Sequence, residues 1–298
     1  MLERPVSSPS RIDPAHSSLD PQEPVFALKG GTAINFFVQD LPRLSVDIDL
    51  VYLPITERDE ALMDMRQTLH RIAERISRMY PAAVIREANL KLILRVDEAM
   101  VKIEPNQVLR GSIHPTEVKE LVPEAQKLFE LSVAMRTLTA SELYGGKICA
   151  ALDRQHPRDF FDIRLLLDHE GLSEGIRKAF VVYLIAHRRP MSELLDPGIS
   201  DMRQVFENEL LGMTRIPCGY EDLIETRTRL LSLILSSLTT EEKELIASIQ
   251  EGSPRWDLLR LGDISRLPAV RWKLLNVAKM NSQKKKREVE KLKALLRI

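Results

Sequence analysis

Two short stretches of this chain carry residue types suited to phosphate chemistry. The first is Gly30-Gly31-Thr32, which follows the apolar run Phe26–Leu28 and opens a helical stretch through Phe37. Glycines at a strand-to-helix junction let the backbone approach a ligand, and a helix N-terminus turns free N–H groups toward an anion. Lys29, just before the pair, is placed as a second phosphate contact. The second stretch is Asp47-Ile48-Asp49. Residues two apart on a strand share a face, so these carboxylates converge. At ~4 Å two such charges repel by about 1–4 kcal/mol, depending on the local dielectric. A hard cation relieves that strain, and an all-oxygen pair suits Mg²⁺ better than zinc. Glu104, ending the segment Val101-Lys102-Ile103-Glu104, is the natural third carboxylate, facing away from Val101 and Ile103. It is also placed to accept a proton from an attacking hydroxyl.

Elements of the right kind surround these residues. Residues 45–53 alternate, with Val46, Ile48 and Leu50 on one face and Ser45, Asp47 and Asp49 on the other, which predicts a strand. The hydroxyl of Ser45 thus shares the acidic face. Residues 56–79 carry Leu62, Met65, Leu69, Ile72 and Ile76 at helical spacing. Strands are expected at 83–86, 90–96 and 100–104, which makes residues 23–115 a mixed α+β unit. Beyond residue 116 no strand is expected. A capping-box pattern, Thr139-Ala140-Ser141-Glu142, opens a helix. Further helical segments are read at 158–168, 173–187, 194–211, 220–237 and 240–250, and a tail helix follows residue 281 with a stripe of Val289, Leu292, Leu295 and Leu296. Residues 1–22, rich in Ser and Pro without periodicity, read as a mobile leader.

Taken together, these blocks resemble the AbiEii/AbiGii toxin family of nucleotidyltransferases, within the DNA polymerase β-type superfamily. The resemblance rests on Lys29-Gly30-Gly31-Thr32-Ala33, on Arg43-Leu44-Ser45-Val46-Asp47-Ile48-Asp49, on the helix containing Gly145-Gly146-Lys147, and on Arg158-Asp159-Phe160-Phe161-Asp162. It implies a polymerase-β-like domain with a small mixed sheet, followed by an all-helical domain over 116–298. It further implies that Gly30, Gly31 and Thr32 hold the phosphates, that Asp47, Asp49 and Glu104 bind Mg²⁺, that Lys147 reaches the triphosphate, and that Asp162 is the acidic partner from the helical half. Ser45 would then touch nucleotide or metal-bound water, or itself accept a nucleotidyl group.

The activity so implied is transfer of NMP from an NTP to an acceptor, the tRNA 3′ end in some branches of the family. This would make the chain the toxin of a toxin–antitoxin or abortive-infection pair, opposed by a cognate antitoxin and blocking translation and growth. Nucleotidylation of a small molecule or protein hydroxyl, or a catalytically inactive nucleotide-binding regulator, are the alternatives. Composition is compatible but not diagnostic. The 298 residues hold 43 Lys+Arg against 43 Asp+Glu, so an RNA partner needs a local basic patch, for which Arg71, Arg75 and Arg78, or Arg188 and Arg189, are candidates. Two cysteines, Cys149 and Cys218, make neither a disulfide framework nor a zinc site. No apolar stretch approaches a membrane span, and no signal-peptide core precedes Phe26, so a cytoplasmic protein is expected.

Overall fold

A computed structural model describes residues 25–298; the reading of residues 1–22 as a leader lies outside the described residues. The chain begins with strand β1 (Phe26–Lys29), which passes without a loop into helix α1 (Gly30–Phe37). The acidic strand β2 (Ile48–Tyr52) pairs antiparallel with β1. Helix α2 (Arg58–Met79) then crosses one face of the sheet and leads to β3 (Val84–Ala88), β4 (Lys91–Val96) and β5 (Ala99–Asn106). β5 lies parallel to β2, while β3–β4 and β4–β5 are antiparallel.

Two short strands then contradict the expectation that none follows residue 116. β6 (Glu117–Glu120) and β7 (Ala134–Thr137) flank helix α3 (Pro123–Phe129), and β7 joins β1 in parallel. They complete a seven-stranded mixed sheet in the order β3-β4-β5-β2-β1-β7-β6, so the sheet extends past residue 115. Each has only four residues, and β6 reads Glu-Val-Lys-Glu at the sheet edge. Too few apolar positions alternate there to give a local signal.

Burial separates the two faces of the sheet. Tyr52 donates its hydroxyl to Asp64 of α2 at 2.7 Å, so Ile48, Leu50 and Tyr52 point to the α2 side and Asp49 to the other. α2 buries Met65, Leu69, Ile72 and Ile76 there, as its spacing predicts, and Leu92 and Ile103 are buried with them.

The helical part follows with α4 (Ala140–Arg154), α5 (Pro157–His169) and α6 (Glu174–Ala186). Thr139 caps α4 by accepting from the Glu142 amide, but Glu142 does not close the box. Its carboxylate instead accepts the amides of Ile113 and His114, each at 3.0 Å, tying the first turn of α4 to the segment after β5. α4 and α6 touch backbone to backbone at Gly145, where a Cβ would come within 2.7 Å of the Phe180 amide nitrogen. Gln155 ends α4 in the left-handed conformation, and His156 with Pro157 starts α5, so the two helices meet there without a longer loop.

The expected helix over 194–211 is instead two, α7 (Met191–Leu195) and α8 (Arg203–Glu209), because Pro197-Gly198 interrupts the spacing. Helices α9 (Tyr220–Ser237) and α10 (Thr240–Glu251) stand where expected. α11 (Pro268–Ala278) was not anticipated; its apolar positions are scattered around the helix, leaving Trp272 and Leu275 exposed. The tail helix α12 (Ser282–Leu296) buries Leu292 and Leu296 against α10 and α7 of the same chain. None of the described helices is long and apolar enough to cross a membrane.

Candidate active site

Register brings the first charged groups together. Lys29 pairs with Asp49 across β1–β2, and Asp49 with Glu104 across β2–β5, so the three side chains stand in a row on the face away from α2. This row floors a cleft of about 510 Å³, which Asp47, Ser45, Arg43, Lys102, Lys147, Arg154 and Arg158 also line.

The diglycine bend fits against this row. Gly30 has φ +74°, and a Cβ on it would lie 2.5 Å from Asp49 Oδ2; one on Gly31 would lie 2.8 Å from Arg43 Nη2. Only glycines leave room for that carboxylate and guanidinium. No side chain caps α1, so its first amides have no intrahelical partner and its dipole favours an anion there. Lys29, at the N-cap position, lies beside both; burial lowers the pKa of its ammonium, and Asp49 opposes that shift.

Thr32 does not face the cleft. It is buried, and its hydroxyl donates to the carbonyl of Asp47 and accepts from Ser45 Oγ (3.0 Å). It therefore fixes the approach to β2 rather than holding phosphate. Ser45 remains on the cleft wall as the donor to Thr32.

The two strand aspartates differ in setting. Asp47 precedes the first residue of β2 and its side chain is 45% exposed, whereas Asp49 is partly buried. The expected apolar flank is not intact either, since Val46 is 56% exposed. Burial raises the pKa of Asp49, with Lys29 opposing and the neighbouring Asp47 charge adding to the rise. A cation would relieve both the burial and the repulsion.

Glu104 stands beside Asp49 but is engaged. Lys91 lies 2.7 Å from its Oε1 and Lys102 3.4 Å from its Oε2. Burial alone would raise its pKa, but the two lysines hold it below the usual range, making it a poor proton acceptor. Among the described residues, no three carboxylate, imidazole or thiol groups are gathered in a way that could hold a metal ion. The donor set that fits is therefore Asp47 and Asp49, with further oxygens coming from substrate phosphates, a common arrangement for Mg²⁺.

The helical half contributes a buried ionic network. Lys147 lines the cleft at only 6% exposure, and its Nζ lies 2.9 Å from both Asp159 Oδ1 and Asp162 Oδ2. Burial opposes its charge, yet the two aspartates hold its pKa above the ordinary value. Asp162, 1% exposed, also accepts from Arg43 Nε and Nη2, each at 2.7 Å, and from Asn35 of α1 at 3.3 Å. It thus clamps the loop before β2 and the first helix to α5 rather than opening onto the cleft. Asp159 takes a two-pronged contact from Arg154, at 2.6 and 2.9 Å, and Arg154 is itself 59% exposed over the cleft. Burial would raise both aspartate pKa values, but Lys147 and the arginines hold them below the usual range.

Arg154 and Lys102 had no assigned role from sequence. Arg154 lies seven residues beyond Lys147, two turns on along the same helix face, which was the available signal. His156 caps α5 by accepting the Arg158 amide at 3.1 Å, and Arg158 Nη2 pairs with Glu209 at 3.0 Å. A second cavity of about 320 Å³ shares Lys29, Gly31, Asp49 and Lys147 with the cleft and runs on between α4 and α6 past Leu109, Leu138, Leu143 and Tyr183.

A sequence profile for the nucleotidyl transferase AbiEii toxin of type IV toxin–antitoxin systems matches residues 15–273. No curated protein matches the chain. Among solved structures, MenT4, a nucleotidyltransferase toxin of Mycobacterium tuberculosis H37Rv, superposes with a TM-score of 0.54 at 13% identity, over 91% of this chain and 84% of that one. At that identity the likeness is one of fold.

Proposed function

Because the chain belongs to the AbiEii family of nucleotidyltransferase toxins, we propose that it uses the cleft between β2 and α4 to transfer NMP from an NTP to an RNA acceptor, the tRNA 3′ end. A nucleotidyltransferase of a type IV toxin–antitoxin system acts on an NTP and has a cognate antitoxin; the RNA acceptor, the Mg²⁺ dependence and the block of translation belong to the proposal. The observation that carries it is the Asp49 carboxylate held against Gly30 at the uncapped start of α1, in a cleft lined by six basic side chains, Lys29, Arg43, Lys102, Lys147, Arg154 and Arg158.

The residues divide the work as follows. The amides of Gly30 and Gly31 receive terminal phosphate oxygens, and Lys29 adds positive charge beside them. Asp47 and Asp49 hold Mg²⁺, which when bound neutralises charge building on the phosphoryl oxygens. An acceptor hydroxyl attacks the α-phosphorus in line as the bond to pyrophosphate breaks, and its proton passes to solvent water in the open cleft. Arg154, exposed and aimed by Asp159, meets the leaving pyrophosphate, a role expected of Lys147 from sequence. Lys147, anchored by two aspartates, instead keeps α4 and α5 in register with the cleft. The second cavity, with Leu138 and Leu143 beside charged side chains, accommodates the nucleoside.

Incubation with total RNA and each labelled NTP tests this reading. Label should enter RNA, and Asp47→Ala should cut the rate by about 10²–10³-fold, the equivalent of several kcal/mol of lost charge stabilisation. With a 45% exposed side chain, Asp47 should be replaceable without loss of thermal stability. Label appearing only in protein or small molecules would refute the RNA acceptor; full activity in the variant would refute the site.

A further inference from the structure

The sheet has a face that α2 does not cover. Side chains opposite Leu92 and Ile103 belong to that face, which places Arg86 of β3, Lys91, Ile93 and Arg95 of β4, and Met100, Lys102 and Glu104 of β5 on one surface. The surface is continuous with Asp49 through the Asp49–Glu104 pairing. Val84 and Met100 are 66% and 57% exposed on it. It carries four basic groups against one acid, and that acid, Glu104, is already paired with Lys91 and Lys102. Arg86 and Arg95 are exposed and have no ion-pair partner among the described residues.

We propose that this open face of β3, β4 and β5 is the docking track for the acceptor, and that it binds a base-paired RNA stem whose single-stranded end enters the cleft. The proposal rests on the RNA-acceptor reading above. Charge complementarity selects the occupant, since two unpaired arginines, set diagonally on β3 and β4 beside the phosphate-transfer site, match a polyanion. Among the described residues no aromatic side chain of β3, β4 or β5 lies on the face, so single-stranded bases have no ring there to stack on. Recognition through phosphates fits a duplex stem. With strands ~4.8 Å apart, β3 lies about 14 Å from β2, a span of several base pairs.

The arginines of α2 are ruled out as that track. Arg71, Arg75 and Arg78 belong to the helix layer on the opposite side of the sheet from Asp49, so RNA bound to them is screened from the cleft by the sheet itself. Arg189 is likewise committed, to Asp153 at 3.0 Å.

The test compares Arg86→Gln/Arg95→Gln with Arg71→Gln/Arg78→Gln in the full chain. The readouts are NTP-dependent labelling of a hairpin RNA with a single-stranded 3′ end, and binding of that RNA across a salt series. The sheet-face variant should raise KM for RNA about tenfold or more, with kcat at saturating RNA and KM for NTP unchanged. The slope of log K against log salt should fall by about 1.4–1.8, as expected for two lost phosphate contacts. The α2 variant should match the wild type. An unchanged KM and slope in the sheet-face variant, or the same loss in the α2 variant, would overturn the track. Impaired binding of a protein partner with intact RNA labelling would reassign the face to that partner. Absence of RNA labelling by the wild-type protein would be a different failure, that of the RNA-acceptor reading itself.

Discussion

Replacing Asp162 separates a structural role from a catalytic one. Its carboxylate accepts two hydrogen bonds from Arg43 at 2.7 Å, lies 2.9 Å from Lys147 and takes a longer bond from Asn35. Arg43 is 3% exposed and the Lys147 side chain 6%, so water cannot replace the lost partner of either. The network holds three cations, Arg43, Lys147 and Arg154, against the two anions Asp159 and Asp162. Asp162→Ala therefore leaves three cations, two of them buried, on a single carboxylate. Removing one member of a buried pair costs about 3–5 kcal/mol, because the remaining charge stays desolvated. At roughly 2–4 °C per kcal/mol for a chain of this size, the melting temperature should fall on the order of 6–20 °C. Differential scanning calorimetry measures this directly, and Arg43→Met in the Asp162→Ala background should recover part of the loss, since it removes the stranded guanidinium. Activity should fall in step with the loss of the folded loop before β2. A variant that melts like the wild type while losing all turnover would refute the reasoning and place Asp162 on the reacting atoms. The same network sets an acid limit. Asp159 and Asp162 have folded pKa values below their unfolded ones, so their contribution is present above the ordinary aspartate pKa and is lost as pH falls through the folded values.

Two further perturbations bear on other parts of the molecule. Gly30→Ala forces a left-handed φ on a residue with a Cβ and drives that carbon to 2.5 Å from Asp49 Oδ2; a cost of about 1–3 kcal/mol and loss of nucleotide transfer are expected, checked by melting and single-turnover assays. Burial pushes the Glu142 pKa up to about 7, against the opposing pull of the Ile113 and His114 amides. With the folded value above the unfolded one, stability should be greatest below about pH 4.5 on this account and should decline by about 3 kcal/mol as pH rises to 7. Urea midpoints at several pH values should show that slope in the wild type and a flatter one in Glu142→Gln; an equal slope in both would assign it to another group.

Much of the molecule is legible in the amino-acid order because the relevant signals are local. The stripe of Met65, Leu69, Ile72 and Ile76, the cap at Thr139, and the alternation around Asp49 each depend on residues a few positions apart, and the elements they announce are present. The glycine pair and the Asp47–Asp49 spacing likewise locate the cleft. Partnership is another matter, since it depends on contacts between residues of different elements that no local spacing announces. Arg43 meets Asp162 across 119 positions, and no spacing rule announces that Asp162 is thereby taken out of the cleft. Thr32 looks like a phosphate ligand until the fold turns its hydroxyl onto Ser45, and Glu104 looks like a free carboxylate until antiparallel pairing sets Lys91 beside it. β6 and β7, four residues each, exist because β1 offers an open edge to β7, not because their own residues demand a strand. Residue types and short-range periodicity thus establish which chemistry the chain carries and roughly where. Register, burial and the side of the sheet left bare by α2 establish which groups are free to perform it, because desolvation and charge pairing are properties of three-dimensional neighbourhoods.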